Sequence, residues 1–232
     1  MSRPPLILLP GVLLDERLYE AQLAALAERA EMRVMDLTGC DSIAAMAAAV
    51  LAEAPERFAL CGLSMGGYVA FEIMRRAPER VTRLALLDTQ ARPDSAEARA
   101  RRRDLIALAE RGAFETATTR LLPLFVHPDR REDEALTATI EAMARRVGRD
   151  GFLRQQTAIL NRVDSRAGLA AIACPTLVLT GRQDLLTPVE MHYEIAAAIP
   201  ASTLVVLPSC GHLSPLEQPA MVNAQLAAWL AA

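Results

Sequence analysis

The chain has 232 residues, 52% of them hydrophobic, with a formal net charge of −3 and a pI near 5.7. That size and apolar content fit one α/β domain with room for an insertion, and the mild acidity argues against nucleic acid or an anionic membrane as partner. Every basic side chain is arginine and lysine is absent, which excludes Schiff-base lysine chemistry and Walker-type phosphate loops. Taken in chain order, short apolar runs at Leu6–Leu9, Met32–Leu37, Phe58–Leu63, Val81–Leu87, Thr176–Thr180 and Thr203–Leu207 predict strands buried on both faces of a parallel sheet. Helical patterns lie between them at Glu16–Arg29, Ser42–Glu53, Met65–Arg76, Pro188–Ile199 and Gln218–Leu230, with Asp41-Ser42 and Thr187-Pro188 as helix starts. The alternation predicts a doubly wound, mostly parallel sheet.

One stretch breaks the rhythm. From Arg92 to Ala167 no strand pattern occurs, only helical segments at Ala96–Arg111, Ala113–Leu122, Arg131–Arg146 and Gly151–Asn161. It carries 15 Arg against 12 Asp and Glu, which reads as a solvated helical surface or, alternatively, as a layer that draws an anionic substrate. The expected organisation is a core of residues 1–90 and 168–232 with a helical cap, 91–167, inserted between strands. The four cysteines, Cys40, Cys61, Cys174 and Cys210, include no C-x-x-C pair, so neither a zinc ribbon nor a redox motif is expected. The Leu6–Leu9 run is too short for a secretory leader and ends at Pro10-Gly11. No run reaches membrane-spanning length, and a cytoplasmic protein is expected.

Gly62-Leu63-Ser64-Met65-Gly66 sits between a strand pattern and a helix pattern. A G-x-S-x-G sequence in that setting is a nucleophile elbow, a strained turn that exposes a serine hydroxyl. Gly62 and Gly66 are expected because a Cβ at either would collide across the turn. Asp184 follows the strand at Thr176–Thr180, and His212 follows the last strand. Both are thereby placed at the carboxyl edge of the sheet, where ligand and catalytic groups collect in open α/β folds. Asp88, after Val81–Leu87, is a rival acid. Asp184 could instead cap the helix near Pro188, although Thr187 is better placed to do so. His127 and His192 read as structural or surface residues without metal-ligand spacing, and Cys210 as packing beside the site. No metal site or dinucleotide fingerprint is apparent, and no cofactor is implied.

The chain order Ser64, Asp184, His212 resembles that of the α/β-hydrolase superfamily. More narrowly, the chain is similar to the small capped esterases and lactonases typified by pimeloyl-carrier-protein methyl esterases and 3-oxoadipate enol-lactonases, over nearly its whole length. The resemblance implies that His212 takes the Ser64 proton as the hydroxyl attacks a carbonyl, and that Asp184 orients the imidazole. The Met65 N–H, next to the nucleophile at a helix start, is the first oxyanion donor; the resemblance implies Val12 N–H as the second. Many relatives have His-Gly where this chain has Pro10-Gly11, which removes a polar group from the mouth of the site. A serine at the elbow argues against dehalogenase and epoxide hydrolase chemistry, which need aspartate there.

Leu13, Leu121, Leu122, Phe125 and Phe152, with Leu124, are candidate walls of the substrate pocket, or else the cap's own core. The reading is a serine hydrolase for a small ester, lactone or thioester, a monomer or small homo-oligomer with no macromolecular partner. A C–C hydrolase or lyase would use the same triad, and a non-catalytic ligand-binding protein would use the same fold. Relatives usually begin with an antiparallel hairpin, and this chain starts almost directly at its first strand. The resemblance therefore implies a trimmed, all-parallel sheet of about six strands in the order 2-1-3-4-5-6.

Overall fold

A computed structural model describes residues 3–232. Six strands form one sheet: β1 (Pro5–Leu9), β2 (Glu31–Val34), β3 (Phe58–Leu63), β4 (Val81–Leu87), β5 (Thr176–Gly181) and β6 (Ser202–Leu207). Their order is β2-β1-β3-β4-β5-β6 and every pairing is parallel, as expected. Every residue of β3 and β5 is buried, whereas β2 alternates exposed and half-buried and β6 is largely half-buried. Expecting burial on both faces was therefore right for the centre of the sheet and wrong for its edges, where only one neighbour covers each strand. β2 is also shorter than its apolar run. Met35 N still donates to Leu8 O, but the Asp36 carboxylate then takes the Thr38 N–H at 2.8 Å and turns the chain away.

Among the described residues nine α-helices accompany the sheet: α1 (Glu20–Ala25), α2 (Ile43–Glu53), α3 (Met65–Arg76), α4 (Ala96–Glu110), α5 (Phe114–Phe125), α6 (Glu134–Leu160), α7 (Val189–Ala198), α8 (Ser214–Glu217) and α9 (Pro219–Ala231). Ser42 caps α2 through its hydroxyl, as expected. The helix expected over Glu16–Arg29 is a 3-10 turn, Glu16–Tyr19, followed by the short α1. The Arg131 start moves to Glu134, because Pro128–Arg130 forms a 3-10 turn and Asp133 caps the helix behind it. The two helices expected on either side of residues 147–150 run together as α6, broken at Gly148, where φ is 69°. That conformation suits glycine. Among the described residues no helix is long and apolar enough to cross a membrane.

Helices α4–α6 occupy the whole connection between β4 and β5 and are fastened to the core at its base. Asp94, its side chain 2% exposed, receives Arg162 Nη1 at 2.7 Å and Arg102 Nε at 2.8 Å. The Arg162 guanidinium also lies 4.3 Å from the centre of the Tyr68 ring on α3, a cation–π contact in a site with little water. Burial would raise the Asp94 carboxyl, but the two guanidiniums hold it below the usual carboxylate range.

The junction of β3 and α3 tolerates no side chain. A Cβ on Gly66 would lie 2.1 Å from Leu9 O, and one on Gly62 would lie 2.4 Å from Gly66 O. Backbone cannot yield by that much, so Gly66→Ala should cost about 3 kcal/mol by chemical denaturation, the upper range of overpacking. Gly39→Ala, with nothing within 4 Å of its Cβ, should stay within about 0.5 kcal/mol of wild type.

Candidate active site

Ser64 occupies the tip of the turn between β3 and α3, at φ 52° and ψ −112°. Non-glycine residues rarely adopt that backbone, and holding it costs on the order of 1–3 kcal/mol. Three contacts enforce it. Ser64 N donates to Leu87 O at 3.0 Å, the Thr89 hydroxyl donates to Ser64 O at 2.8 Å, and Gly67 packs so closely on Thr89 that a Cβ would lie 2.4 Å from Oγ1. Thr89 is itself held, its N–H donating to His192 Nε2 at 2.9 Å. His192 is fully buried, and burial lowers its pKa to about 4, so the ring is a neutral acceptor. Its part in the fold is structural, as expected.

Asp184 and His212 come together. His212 Nδ1 lies 2.7 Å from Asp184 Oδ2, and both side chains are almost wholly buried. Asp184 Oδ1 accepts Leu186 N at 2.8 Å and Thr187 N at 3.0 Å, and Oδ2 accepts the Thr187 hydroxyl at 2.6 Å. Thr187 thus serves the carboxylate; the expectation that it caps α7 fails, because the residue flanking that helix is Pro188 and no side chain caps it. Burial opposes charge on both Asp184 and His212. Their mutual attraction and hydrogen bond outweigh it, so Asp184 is held below its ordinary value and His212 is lifted above its own. With Asp184 on Nδ1, the proton-accepting position of the neutral ring is Nε2. Among the described residues no hydrogen bond joins Ser64 Oγ to His212. Such contacts commonly tighten only with substrate in place.

Asp88, the rival acid, does not touch the imidazole. Its Oδ1 accepts Gly181 N at 3.0 Å and its Oδ2 meets the Ser214 hydroxyl at 2.5 Å. Burial, then the nearby Asp184 charge, push its pKa well up. It is a strut between the ends of β4 and β5 and the His212 loop. Glu217, which sequence reasoning missed, clamps the same loop by accepting N–H groups from Gly211 at 3.0 Å and His127 at 2.7 Å. Cys210 is fully buried, and burial raises its thiol pKa, so it packs rather than reacts.

Leu13, at φ 64°, donates its N–H at 3.0 Å to Oε1 of Gln155, a buried side chain of α6. No expectation covered Gln155. Its only signal was a Gln-Gln pair in a helical segment otherwise rich in apolar residues. The loop that carries Val12 runs against the elbow, since a Cβ on Gly11 would lie 3.3 Å from Ser64 Cβ. Val12, Ser64, Leu121, Phe125 and Thr187 share a cavity of about 70 Å3. Leu13, Leu122 and Phe125 line a second, of about 260 Å3. Phe152 lines neither. It is fully buried and packs on Phe114 with ring centres 5.6 Å apart, in the interior of the helical layer rather than on a pocket wall. Among the described residues no three His, Cys, Asp or Glu side chains are arranged to hold a metal ion.

The balance of burial and pairing at His212 is open to titration. Followed by NMR, the wild-type His212 ring should titrate above 6.5, its ordinary value. In Asp184→Asn the desolvation is left without its main opponent, and the same ring should titrate below 6.5. His192 should remain neutral in both proteins until about pH 4.

Comparison with known proteins places this geometry. The alpha/beta hydrolase family model matches residues 6–225. A pimeloyl-[acyl-carrier protein] methyl ester esterase of Nitrosomonas europaea is 28% identical over 93% of this chain and 91% of its own. Among solved structures, a thermophilic esterase from Thermogutta terrifontis superposes with a TM-score of 0.89 at 31% identity, over 99% of this chain and 90% of that one. The enol-lactonase from Burkholderia xenovorans LB400 superposes with a TM-score of 0.92 at 25% identity, over 100% and 93%. Sheet order, elbow and near-complete sequence coverage agree, and the chain belongs to the alpha/beta hydrolase family.

Proposed function

We propose that this protein is a cofactor-free serine hydrolase that cleaves a small carboxylic ester, lactone or thioester through an acyl-enzyme on Ser64. The observation that carries the reading is the 2.7 Å contact between His212 Nδ1 and Asp184 Oδ2, buried beside a strained elbow serine. An esterase and an enol-lactonase among the similar structures support the same substrate class. Four free cysteines suit a reducing, cytoplasmic setting.

In the first half-reaction Ser64 Oγ attacks the carbonyl carbon and His212 Nε2 takes the hydroxyl proton. Negative charge gathers on the carbonyl oxygen. The Met65 N–H begins a helix and so has no intrahelical acceptor; with the Val12 N–H it forms the proposed oxyanion hole. The C–O bond (C–S in a thioester) breaks, and His212 returns the proton to the leaving group. In the second half-reaction water attacks the acyl carbon and His212 again accepts a proton; the bond from the acyl carbon to Ser64 Oγ breaks, His212 passes the proton to Oγ, and the acid is released. Asp184 stays ionised throughout and stabilises the transient imidazolium.

Release of p-nitrophenol from p-nitrophenyl acetate tests the assignment. Ser64→Ala and Asp184→Asn should each lower kcat by about 10⁴-fold. Asp88→Asn, which leaves the Asp184–His212 contact in place, should lose less than about tenfold. Undiminished turnover by Ser64→Ala, or a larger loss at Asp88 than at Asp184, overturns the assignment.

A further inference from the structure

One cavity contains Ser64, a second lies beyond it, and one side chain, Phe125, walls both. The first, about 70 Å3, contains Ser64 and Val12, has Leu121 and Phe125 on its wall, and reaches Asp94, Arg101 and Arg102 on the α4 side. It is far below the roughly 300–1,000 Å3 of ordinary ligand pockets, and holds no more than a short acyl group. The second, about 260 Å3, lies between α5 and α6 and is walled by Leu13, Phe114, Leu122, Phe125, Ile140 and Ala144. Its charged groups, Glu115, Glu141 and Arg145, are exposed, so charge borders the opening, and the rest of the wall is apolar apart from Thr118 and Thr119.

The spacing on α5 explains the division. Thr118, Leu122 and Phe125 recur at i, i+4 and i+7 along one stripe facing the larger cavity. Leu121 and Phe125, at i and i+4, face Ser64. Phe125 stands where the two stripes meet. The neighbouring loop repeats the pattern, since Val12 lines the small cavity and the next residue, Leu13, lines the large one. A chain leaving a carbonyl held between Ser64 and the Val12 N–H therefore meets the Phe125 ring, with apolar space behind it.

The backbone of Phe125 is held in place while its ring stacks on His212. Phe125 O accepts His212 N at 3.2 Å and Leu213 N at 3.0 Å, which anchors the main chain. Pro123 lies inside α5 and removes one hydrogen bond from the last turn.

We propose that the cavity between α5 and α6 is a binding site for the apolar acyl tail of the ester held at Ser64, and that Phe125 is the gate between the two. The proposal rests on the serine hydrolase reading and adds to it a preference for medium-length acyl chains. Each methylene drawn into the second cavity should raise kcat/KM about fourfold.

The test is kcat/KM for p-nitrophenyl acetate, butyrate, hexanoate and octanoate, expressed as a ratio to acetate. Wild type should favour hexanoate over acetate. Ala144→Phe fills the second cavity from the α6 side and should lower the hexanoate ratio about tenfold or more. Phe125→Ala opens the gate and should raise the octanoate ratio, whatever it does to acetate through its stacking on His212 (ring centres 6.1 Å apart). If Ala144→Phe does not fold, Leu122→Trp, at a half-buried position, fills the same space and carries the same expectation. Ratios within twofold of wild type in both the filling and the opening variant overturn the gate while leaving the hydrolase intact. Acetate turnover that survives Ser64→Ala overturns the hydrolase reading, and this proposal with it.

Discussion

The left-handed backbone at Ser64 is the constraint on which the rest depends. A serine gains nothing locally at φ 52°, so its conformation must be over-determined by its surroundings. Those surroundings are three adjacent strands. β1 presses Leu9 O against Gly66, β4 supplies Leu87 O and, just beyond its end, Thr89, and β3 delivers the chain. None of the contacts is between residues adjacent in sequence. The elbow exists only when the central sheet is assembled, and three glycines without Cβ atoms let the backbones approach closely enough to make it. The serine hydroxyl, half-exposed, is what projects from this packing.

Three carboxyl groups crowd the single imidazole at the other side of the site, and their environments drive them apart. Asp184 collects Leu186 N, Thr187 N, the Thr187 hydroxyl and the imidazole N–H, enough donors to stay ionised against burial. Asp88 is deeper, has fewer donors and lies in the field of Asp184, so its carboxyl is pushed well above the usual range. Glu217 has three backbone N–H donors, yet burial still raises it. Separating titratable groups in this way assigns their parts without reference to sequence. One carboxylate faces His212 and the other two hold the loop that carries it.

What was legible in the sequence was what local chemistry encodes. The Phe58–Leu63 run, the elbow and the Met65–Arg76 helix were read to the residue, because strand pattern, glycine spacing and helix pattern all lie within twenty positions. Sheet order and the Asp184–His212 pairing came from chain order and resemblance. Part of what escaped notice depends on contacts across more than a hundred residues. Nothing around His192 announces that it will hold Thr89 N, and nothing around Gln155 announces that it will hold Leu13 N. Thr187 has the chemistry of a helix cap, and the Asp184 carboxylate three residues before it claims that chemistry first. Phe152 has the hydrophobicity of a pocket wall and sits one layer behind it.

These long-range contacts bear on how a substrate gets in. Helices α4–α6 do not rest loosely over the sheet edge. Gln155 holds the loop beside the elbow, Arg154 Nε donates to Thr38 O at 2.7 Å, Phe125 O takes two N–H groups from the His212 loop, and Asp94 is locked between two arginines. Swinging the layer away would expose the Leu13 and His212 amides and an ion cluster all at once. Each such hydrogen bond given up to water costs about 0.5–1.5 kcal/mol, and losing them together would release the loops that carry the site in the act of admitting a ligand. Side-chain rotation carries no such cost. The same contacts that keep the loops in register therefore favour entry by local rearrangement of apolar side chains over wholesale movement of the helices.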